Sequence, residues 1–393
     1  MKVVAATSAT LLLAALAWGS SGVRDTASIT PAIAPVQPQA QPVAAMTAMK
    51  AAYRRPAARP IDNPALVDLG RLLFWDPRAS ASGKTACATC HAPYLGWGAT
   101  HARSRNDSGK LTARKSQPLI GIGYATGSPF GWDGRSATLE TQVRDSITTG
   151  AMSMRETHMP VKVETIERRI GAIPDYVEKF NAALPGASIT LDAMAQAIAA
   201  YERTMEPGVA PFDRWIDGDE GAISESAKRG FVLFDNKAGC FACHTGWRFT
   251  DDKFHDIGTS TTDIGRGRIL KDDARMRYAF KTPTLRSVAL RPPYMHNASR
   301  ATLYEAVRHY EREPIDRPSR SPLFEPVDLS RQERLDLVAF MQTLTGVPEG
   351  EPAPKLPADW NPDGTKQSAM WGSASTESSR HVPPFLRATE GAN

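Results

Sequence analysis

Two short motifs, CATCH at residues 87–91 and CFACH at residues 240–244, constrain this chain more than any other feature. The chain has four cysteines, and all of them lie in these motifs. C-x-x-C-H is typical of c-type haem attachment, because two thiols bond to vinyl groups at one porphyrin edge and the histidine then reaches the iron. A four-cysteine zinc site needs no histidine after each pair, and redox dithiols rarely carry one. The sequence therefore predicts two covalently bound haem c groups.

Each motif supplies the same three groups to its haem. The first haem is predicted to be held by Cys87, Cys90 and His91, and the second by Cys240, Cys243 and His244. In both sets the cysteines form the thioether bonds, and the histidine is the proximal ligand of the iron.

A weak internal repeat leads into the two motifs. GRLLFWDPRASASGKTACATCH begins at Gly70, and GFVLFDNKAGCFACH begins at Gly230, so both segments carry G-x-x-L-F. Each segment reads as an apolar helix followed by a loop that presents the cysteines. The repeat favours two cytochrome c-like modules that arose by duplication.

Helical periodicity dominates the rest of the chain, and strand signals are few. We expect a mainly α fold, with two cytochrome c-like haem domains, long loops and few strands. The predicted segments are a signal peptide (1–22), an Ala/Pro-rich linker without helical period (23–60), an N-terminal haem domain (61–205), a C-terminal haem domain (206–346) and a Pro/Gly/Ser-rich tail (347–393).

The first 22 residues, MKVVAATSATLLLAALAWGSSG, have the charge, apolar run and small residues of a secretory signal peptide. The apolar run is short for a bilayer span, and no other segment reaches spanning length. We expect export, into the periplasm of a Gram-negative host, and no membrane span in the mature form; a retained N-terminal anchor is the alternative. The net charge of +5, without a stripe of Lys or Arg, argues against a nucleic-acid partner.

Three stretches resemble the bacterial di-haem cytochrome c peroxidases and their relative MauG: LGRLLFWDPRASASGKTACATCH, FGWDGRSATLETQ and FKTPTLRSVALRPPYMHNASRATL. The resemblance runs from Asn63 to Gly346. It implies that the N-terminal haem reacts with hydrogen peroxide and that the six-coordinate C-terminal haem exchanges electrons with it. It also implies that a tryptophan lies between the haems. This role falls on Trp132, for which a plain core aromatic is the alternative.

The sixth ligand of the C-terminal haem separates the subgroups, because typical peroxidases have methionine there and MauG has tyrosine. Counted from the PYMH landmark, this position is Tyr310. On a helix over 301–312, Tyr310 shares an apolar face with Leu303 and Val307. His309 is turned away by about 100°. We therefore expect Tyr310 to point inward as the ligand and His309 to point to water.

The peroxide side of the first haem departs from the family pattern. The family uses a glutamine, which matches Gln142, and a glutamate, whose position falls on Met152. A glutamate moves protons during cleavage of the O–O bond, and methionine cannot. Either a displaced acid, Glu140 or Glu156, replaces it, or Met152 or Met154 ligates the iron. The second alternative makes the protein an electron carrier with two six-coordinate haems.

Three further family positions differ. His101 lies in the loop where many peroxidases place a removable histidine ligand, although their spacing is longer. The family's calcium site would use the side chain of Ser116, in place of asparagine, and the carbonyls of Arg291 and Pro293. A tryptophan that precedes the second haem motif in MauG is Ala238 here.

The resemblance thus implies an exported di-haem oxidoreductase that uses hydrogen peroxide. Tyr310 favours MauG-like action, because a hard, anionic oxygen stabilises a high-valent haem better than a thioether does. Such a haem would oxidise a periplasmic protein substrate or one of its residues. The alternatives are a cytochrome c peroxidase that takes electrons from a small redox protein, such as a cytochrome c or a cupredoxin, and a non-enzymatic carrier. The relatives include monomers and dimers.

Overall fold

The structure is a computed structural model that describes residues 43–154, 161–346 and 352–358. Within these ranges the α-helices are Val43–Ala52 (α1), Pro64–Trp75 (α2), Leu139–Thr148 (α3), Val163–Gly171 (α4), Pro174–Ala183 (α5), Leu191–Glu202 (α6), Pro211–Ile216 (α7), Glu225–Asp235 (α8), Leu303–His309 (α9) and Arg331–Thr343 (α10). Two short strands, Phe254–His255 (β1) and Phe280–Lys281 (β2), pair antiparallel. The prediction of a mainly α fold with few strands is confirmed.

The repeated G-x-x-L-F segments form two equivalent helix crossings. Helix α2 packs on α6, and α8 packs on α10. A Cβ atom on Gly70 would lie 1.8 Å from the carbonyl oxygen of Ala197, and one on Gly230 would lie 2.0 Å from that of Asp336. Only glycine allows backbones to approach this closely. The repeated sequence therefore corresponds to a repeated structure, in which a helix crosses a second helix closely at a glycine, as expected for two cytochrome c-like modules.

Each helix crossing lies in its own hydrophobic core. The first core contains, among others, Leu69, Leu73 and Phe74 from α2, Ile166 and Ile170 from α4, and Met194 and Ile198 from α6. The second core is richer in aromatic rings and contains, among others, Phe212, Trp215, Phe231, Phe249 and Phe340. Each core lies directly behind one C-x-x-C-H turn, because Cys87 packs against the first and Cys240 against the second.

The sequence predicts an irregular linker over 23–60, but its described part begins with helix α1. Met46, Met49 and Tyr53 lie on one side of this segment and pack against the second core, where Tyr53 is buried. The spacing i, i+3, i+7 is helical, but the many alanines around it hide the contrast between an apolar and a polar face. Residues 1–22, the predicted signal peptide, lie outside the described residues.

No helix within the described ranges combines the length and the apolar composition that crossing a bilayer requires.

Candidate haem sites

The two C-x-x-C-H motifs form the same local structure. Each begins with one turn of 3-10 helix, over Cys87–Thr89 and over Cys240–Ala242. The histidine follows the turn, and Nδ1 of His91 hydrogen-bonds the carbonyl oxygen of Trp97 at 3.1 Å. In the second motif Nδ1 of His244 hydrogen-bonds the carbonyl oxygen of Phe249 at 2.9 Å. These bonds place the proton on Nδ1 and leave the lone pair of Nε2 for a metal.

The residues that receive these hydrogen bonds share an unusual backbone. Trp97 has φ 55° and Phe249 has φ 53°, the left-handed region that bulky residues rarely adopt. The same uncommon geometry therefore recurs behind both histidines, where it turns a carbonyl oxygen toward the imidazole. Such strain is typical of positions that a functional site requires.

The ionisation of these groups also fits covalent haem. Burial lowers the pKa of His91 and His244, which keeps both imidazoles in the neutral form that binds iron. Burial raises the pKa of Cys87 and raises that of Cys240 to about 12. Burial of an uncharged sulfur is compatible with a thioether bond to haem, which carries no charge. None of the four cysteines forms a disulfide.

Tyr310 lies beside the second haem motif. Helix α9 begins after Thr302, whose side chain accepts a hydrogen bond from the backbone N–H of Glu305, and Tyr310 follows its last residue. Burial raises the pKa of the Tyr310 phenol, and the nearby sulfurs of Cys240 and Cys243 raise it further. The phenol is therefore close enough to the two cysteines that would carry the second haem for their charges to affect it.

The expectation that His309 points to water is wrong. His309 is only 3% exposed, and its ring is stacked against that of Phe324. Its Nε2–H donates to the carbonyl oxygen of Ile257 at 2.7 Å, and its Nδ1 accepts from Arg300 at 3.0 Å. Helical periodicity describes the faces of a single helix and takes no account of its neighbours. Here loops that contain Ile257 and Phe324 cover the face of α9 on which His309 lies. Because both ring nitrogens are occupied, His309 is no rival to Tyr310 as a ligand.

Trp132 lies where segments from the two halves of the chain meet. Its indole N–H donates to the carbonyl oxygen of Lys115 at 2.8 Å, and its ring makes an edge contact with His296. Next to it, Arg114 joins buried Asp133 at 2.7 Å to Asp263 at 2.7 Å. These contacts hold a half-buried indole at the junction of the halves.

The residues predicted on the peroxide side gather near the first motif and Trp132. The sulfur of Met152 lies 3.6 Å from that of Cys87. Gln142, on α3, donates to Ser146 at 3.3 Å, and its Oε1 is buried without a partner among the described residues. A Cβ atom on Gly131 would lie 3.6 Å from this oxygen, which places Gln142 against the Trp132 turn.

The predicted replacement acids have different outcomes. Glu140 forms an ion pair with Arg203 at 2.7 Å. Although partial burial raises the pKa of Glu140, hydrogen bonds from the backbone and from Arg203 hold it below its ordinary value. It therefore stays ionised and is a poor proton donor. Glu156 lies outside the described residues.

A third acid, Glu202, is missed by the sequence reasoning. It is 5% exposed, and its Oε2 has no partner in the described part of the chain. Burial raises the pKa of Glu202 to about 8, and its charge is close enough to Cys87 to raise the pKa of that thiol. Glu202 follows buried Ile198 by four residues on α6. A lone carboxylate on an apolar helix face is the signal that could have found it.

Comparison with known proteins decides the family. The family model "Di-haem cytochrome c peroxidase" matches residues 64–221, and the model "Cytochrome c" matches residues 227–345. The methylamine utilization protein MauG of Methylorubrum extorquens is 42% identical over 317 residues, which are 78% of this chain and 87% of the relative. The chain belongs to the di-haem cytochrome c peroxidase and MauG family.

Two further relatives show the breadth of the family. A cytochrome-c peroxidase of Denitromonas iodatirespirans is 34% identical, over 79% of this chain and 90% of the relative. The crystal structure of a MauG-like protein associated with microbial copper homeostasis superposes with a TM-score of 0.65 at 28% identity, over 75% of this chain and 94% of that chain. As a member of this family, the chain carries two c-type haems and is an oxidoreductase that uses peroxide.

The structure locates the other positions at which this chain departs from the family pattern. The hydroxyl of Ser116 pairs with that of Ser104 at 2.9 Å, and the Arg291 side chain is buried and donates to backbone carbonyls. The carbonyl oxygens of Arg291 and Pro293 accept no hydrogen bond from the described residues. His101 is exposed, and Ala238 packs against the second core.

Proposed function

We propose that this chain is a MauG-like oxidase that takes oxidising equivalents from hydrogen peroxide and uses them on a partner protein or one of its residues. The observation that carries the proposal is the position of Tyr310 beside Cys240 and Cys243. A phenolate oxygen stabilises the high-valent state of a haem iron. A methionine thioether instead raises the reduction potential of the haem and suits the exchange of single electrons.

The proposed attachment residues are Cys87, Cys90 and His91 for the first haem, and Cys240, Cys243, His244 and Tyr310 for the second. When bound, the two haems supply the redox chemistry, because together they store both oxidising equivalents of one peroxide. The chain contributes neutral imidazoles, each oriented by a backbone carbonyl. Burial raises the pKa of the Tyr310 phenol, so Tyr310 would have to lose its proton to serve as an anionic ligand of the second haem.

We assign the peroxide pocket to Gln142 and Glu202. Breaking the O–O bond requires a proton on the departing oxygen. Glu202 has the protonation state for this task, because burial raises its pKa to about 8 and a neutral carboxyl donates readily. Gln142 supplies an amide with an unpaired oxygen beside the Trp132 turn. Trp132 is assigned to electron exchange between the haems.

We also propose export to the periplasm, a calcium site and a protein partner. Export to the periplasm rests on the signal-peptide pattern of residues 1–22. A calcium ion would be held by the carbonyls of Arg291 and Pro293, at the site where Ser116 replaces the family's asparagine. The partner is a periplasmic protein substrate. A small redox protein as electron donor would instead make the chain a peroxidase, like its 34% identical relative.

Anaerobic titration of the diferric protein with hydrogen peroxide tests the proposal. We expect a long-lived oxidised state in the absorption spectrum and loss of this state in Tyr310→Met. Tyr304→Phe is the matched control, because Tyr304 lies on the same helix and its hydroxyl contacts Arg334. A ferric spectrum with only low-spin haem, or no reaction with peroxide, rejects the oxidase and favours the electron carrier that Met152 suggests.

A further inference from the structure

A second tyrosine near the second haem motif has no part in the proposed function. Tyr53, which follows helix α1, is 2% exposed, and its hydroxyl donates to Oδ1 of Asp235 at 2.6 Å. Burial, followed by the hydrogen bond from this phenol to Asp235, raises its pKa. A buried tyrosine needs a hydrogen-bond partner, so this bond alone indicates no redox role. It does, however, provide a proton acceptor at hydrogen-bond distance.

A direct path joins this phenol to the second haem site. The Tyr53 ring is stacked on that of Phe249, with centroids 4.8 Å apart and an interplanar angle of 19°. The Phe249 carbonyl oxygen is the one that holds Nδ1 of His244 at 2.9 Å. One stacked ring and one hydrogen bond therefore separate Tyr53 from the proposed iron ligand. Tyr53 is also close enough to Cys240 for that sulfur to raise its pKa.

Trp215, the other fully buried tryptophan or tyrosine described in this core, is less suited to carry a positive hole. The ammonium group of Lys50 lies 3.9 Å above the ring of Trp215, so a cation on that indole would be repelled. The indole N–H of Trp215 is held by Glu220 at 2.9 Å. Among the described residues no cation lies above the Tyr53 ring, and loss of its phenolic proton to Asp235 would leave a neutral radical.

We propose that Tyr53 is a redox-active tyrosine that relays oxidising equivalents from the second haem site, with Asp235 as its proton acceptor. The inference rests on the proposed function, which supplies the oxidant from peroxide. In the step, the O–H bond of Tyr53 breaks, one electron reduces the oxidised haem site, and the proton moves to the Asp235 carboxylate. The radical is quenched when the protein substrate returns one electron and Asp235 returns the proton.

A second buried tyrosine that donates to an aspartate provides a control for Tyr53 and Asp235. The hydroxyl of Tyr176 donates to Asp76 at 2.7 Å, and this tyrosine is fully buried in the first core. The ring of Tyr176 contacts the guanidinium of Arg78. Among the described residues it has no stacking contact with Trp97, whose carbonyl orients His91 and whose ring contacts are with Phe74 and Tyr201. Tyr176→Phe therefore removes the same kind of hydrogen bond without interrupting the proposed path.

The experiment follows the anaerobic reaction of the full-length diferric protein with hydrogen peroxide by absorption and by freeze-quench electron paramagnetic resonance. In the wild type we expect a tyrosyl signal that narrows when the protein carries ring-deuterated tyrosine. Tyr53→Phe should lose the signal and discharge its oxidised haem state at least about tenfold more slowly, and Asp235→Asn should lower the radical yield. Tyr176→Phe should behave as the wild type. Haem content and circular dichroism establish that each variant is folded.

The possible failures are distinguishable. If the wild type does not react with peroxide, the proposed function fails and the relay fails with it. If the wild type reacts, but Tyr53→Phe keeps the radical signal and the wild-type decay rate, only the relay is overturned. Slower decay in D2O for the wild type and not for Tyr53→Phe supports transfer of the phenolic proton, and an equal solvent effect in both contradicts it.

Discussion

Replacing Glu202 by glutamine should raise the stability of the folded protein at neutral and alkaline pH and leave it unchanged in acid. Glu202 is 5% exposed, and burial raises its pKa from 4.5 to about 8. Two charged groups affect the same carboxyl: Arg203 favours its ionised form, and Glu140 opposes it. Glutamine has nearly the same shape and never ionises, so the variant isolates the cost of the buried charge.

The sign follows from proton linkage. The folded pKa lies above the unfolded one, so between pH 4.5 and about 8 the unfolded chain has released a proton that the folded chain retains. Each pH unit in this interval favours unfolding by about 1.4 kcal/mol, which amounts to roughly 5 kcal/mol across the interval as an upper limit. The wild type therefore loses stability relative to Glu202→Gln as pH rises, and the difference levels off above pH 8.

The assay is denaturant unfolding of both proteins, with haem bound, at several pH values from 4 to 9. The free energies of unfolding should agree near pH 4 and differ by several kcal/mol at pH 8. Glu333→Gln is a control of opposite sign: although burial raises the pKa of Glu333, Lys237 and Ser330 hold it below its ordinary value. Its charge stabilises the fold above the unfolded pKa, and this stabilisation disappears in acid. Parallel pH profiles for wild type and Glu202→Gln would refute the buried, unpaired carboxyl.

Gly230→Ala should destabilise the second module by about 1–3 kcal/mol or more, because its Cβ would lie 2.0 Å from a backbone oxygen. Gly171→Ala is the control and should be neutral or stabilising, because its Cβ would meet one side-chain atom, at 3.8 Å. Thermal unfolding of both variants measures the difference. Trp132→Phe should slow electron exchange between the haems in stopped-flow absorption, and an unchanged rate argues for a structural role. Chelation of calcium should lower the melting temperature, and Ser116→Asn should lower the calcium concentration needed to restore it.

Sequence reasoning performed best where covalent chemistry or local packing fixes the spacing. The C-x-x-C-H pattern predicts both haem motifs because the porphyrin edge sets the distance between two thiols. The G-x-x-L-F repeat predicts two modules because Gly70 and Gly230 solve the same helix crossing. The family resemblance, from Asn63 to Gly346, is confirmed by relatives such as the 42% identical MauG.

The predictions failed where distant segments decide the environment of a residue. His309 lies off the apolar face of its helix by periodicity, but Ile257 and Phe324 come from loops and bury it. Glu202 and Tyr53 look like surface residues in a one-dimensional reading, since an acid near a helix end and a tyrosine after an Ala-rich stretch are commonly exposed. The packing of α1 on the second core reveals Tyr53, whereas the apolar face of α6 is the one sequence signal for the burial of Glu202.

The duplicated frame makes the difference between the haem sites a matter of a few side chains. In both modules a residue with positive φ turns its carbonyl toward the haem histidine, so the frame itself does not assign roles. In the first module this residue is Trp97, which packs against Phe74 and Tyr201 inside the core. In the second it is Phe249, whose ring is stacked on that of Tyr53, and the Tyr53 hydroxyl donates to Asp235. The proposed ligand Tyr310 would give the second site a hard oxygen donor, and the proposed relay through Tyr53 would connect this site to a proton acceptor, Asp235. The proposed function thus assigns the storage and transfer of an oxidising equivalent to the second site, and the reaction with peroxide to the first site, near which Glu202 is buried.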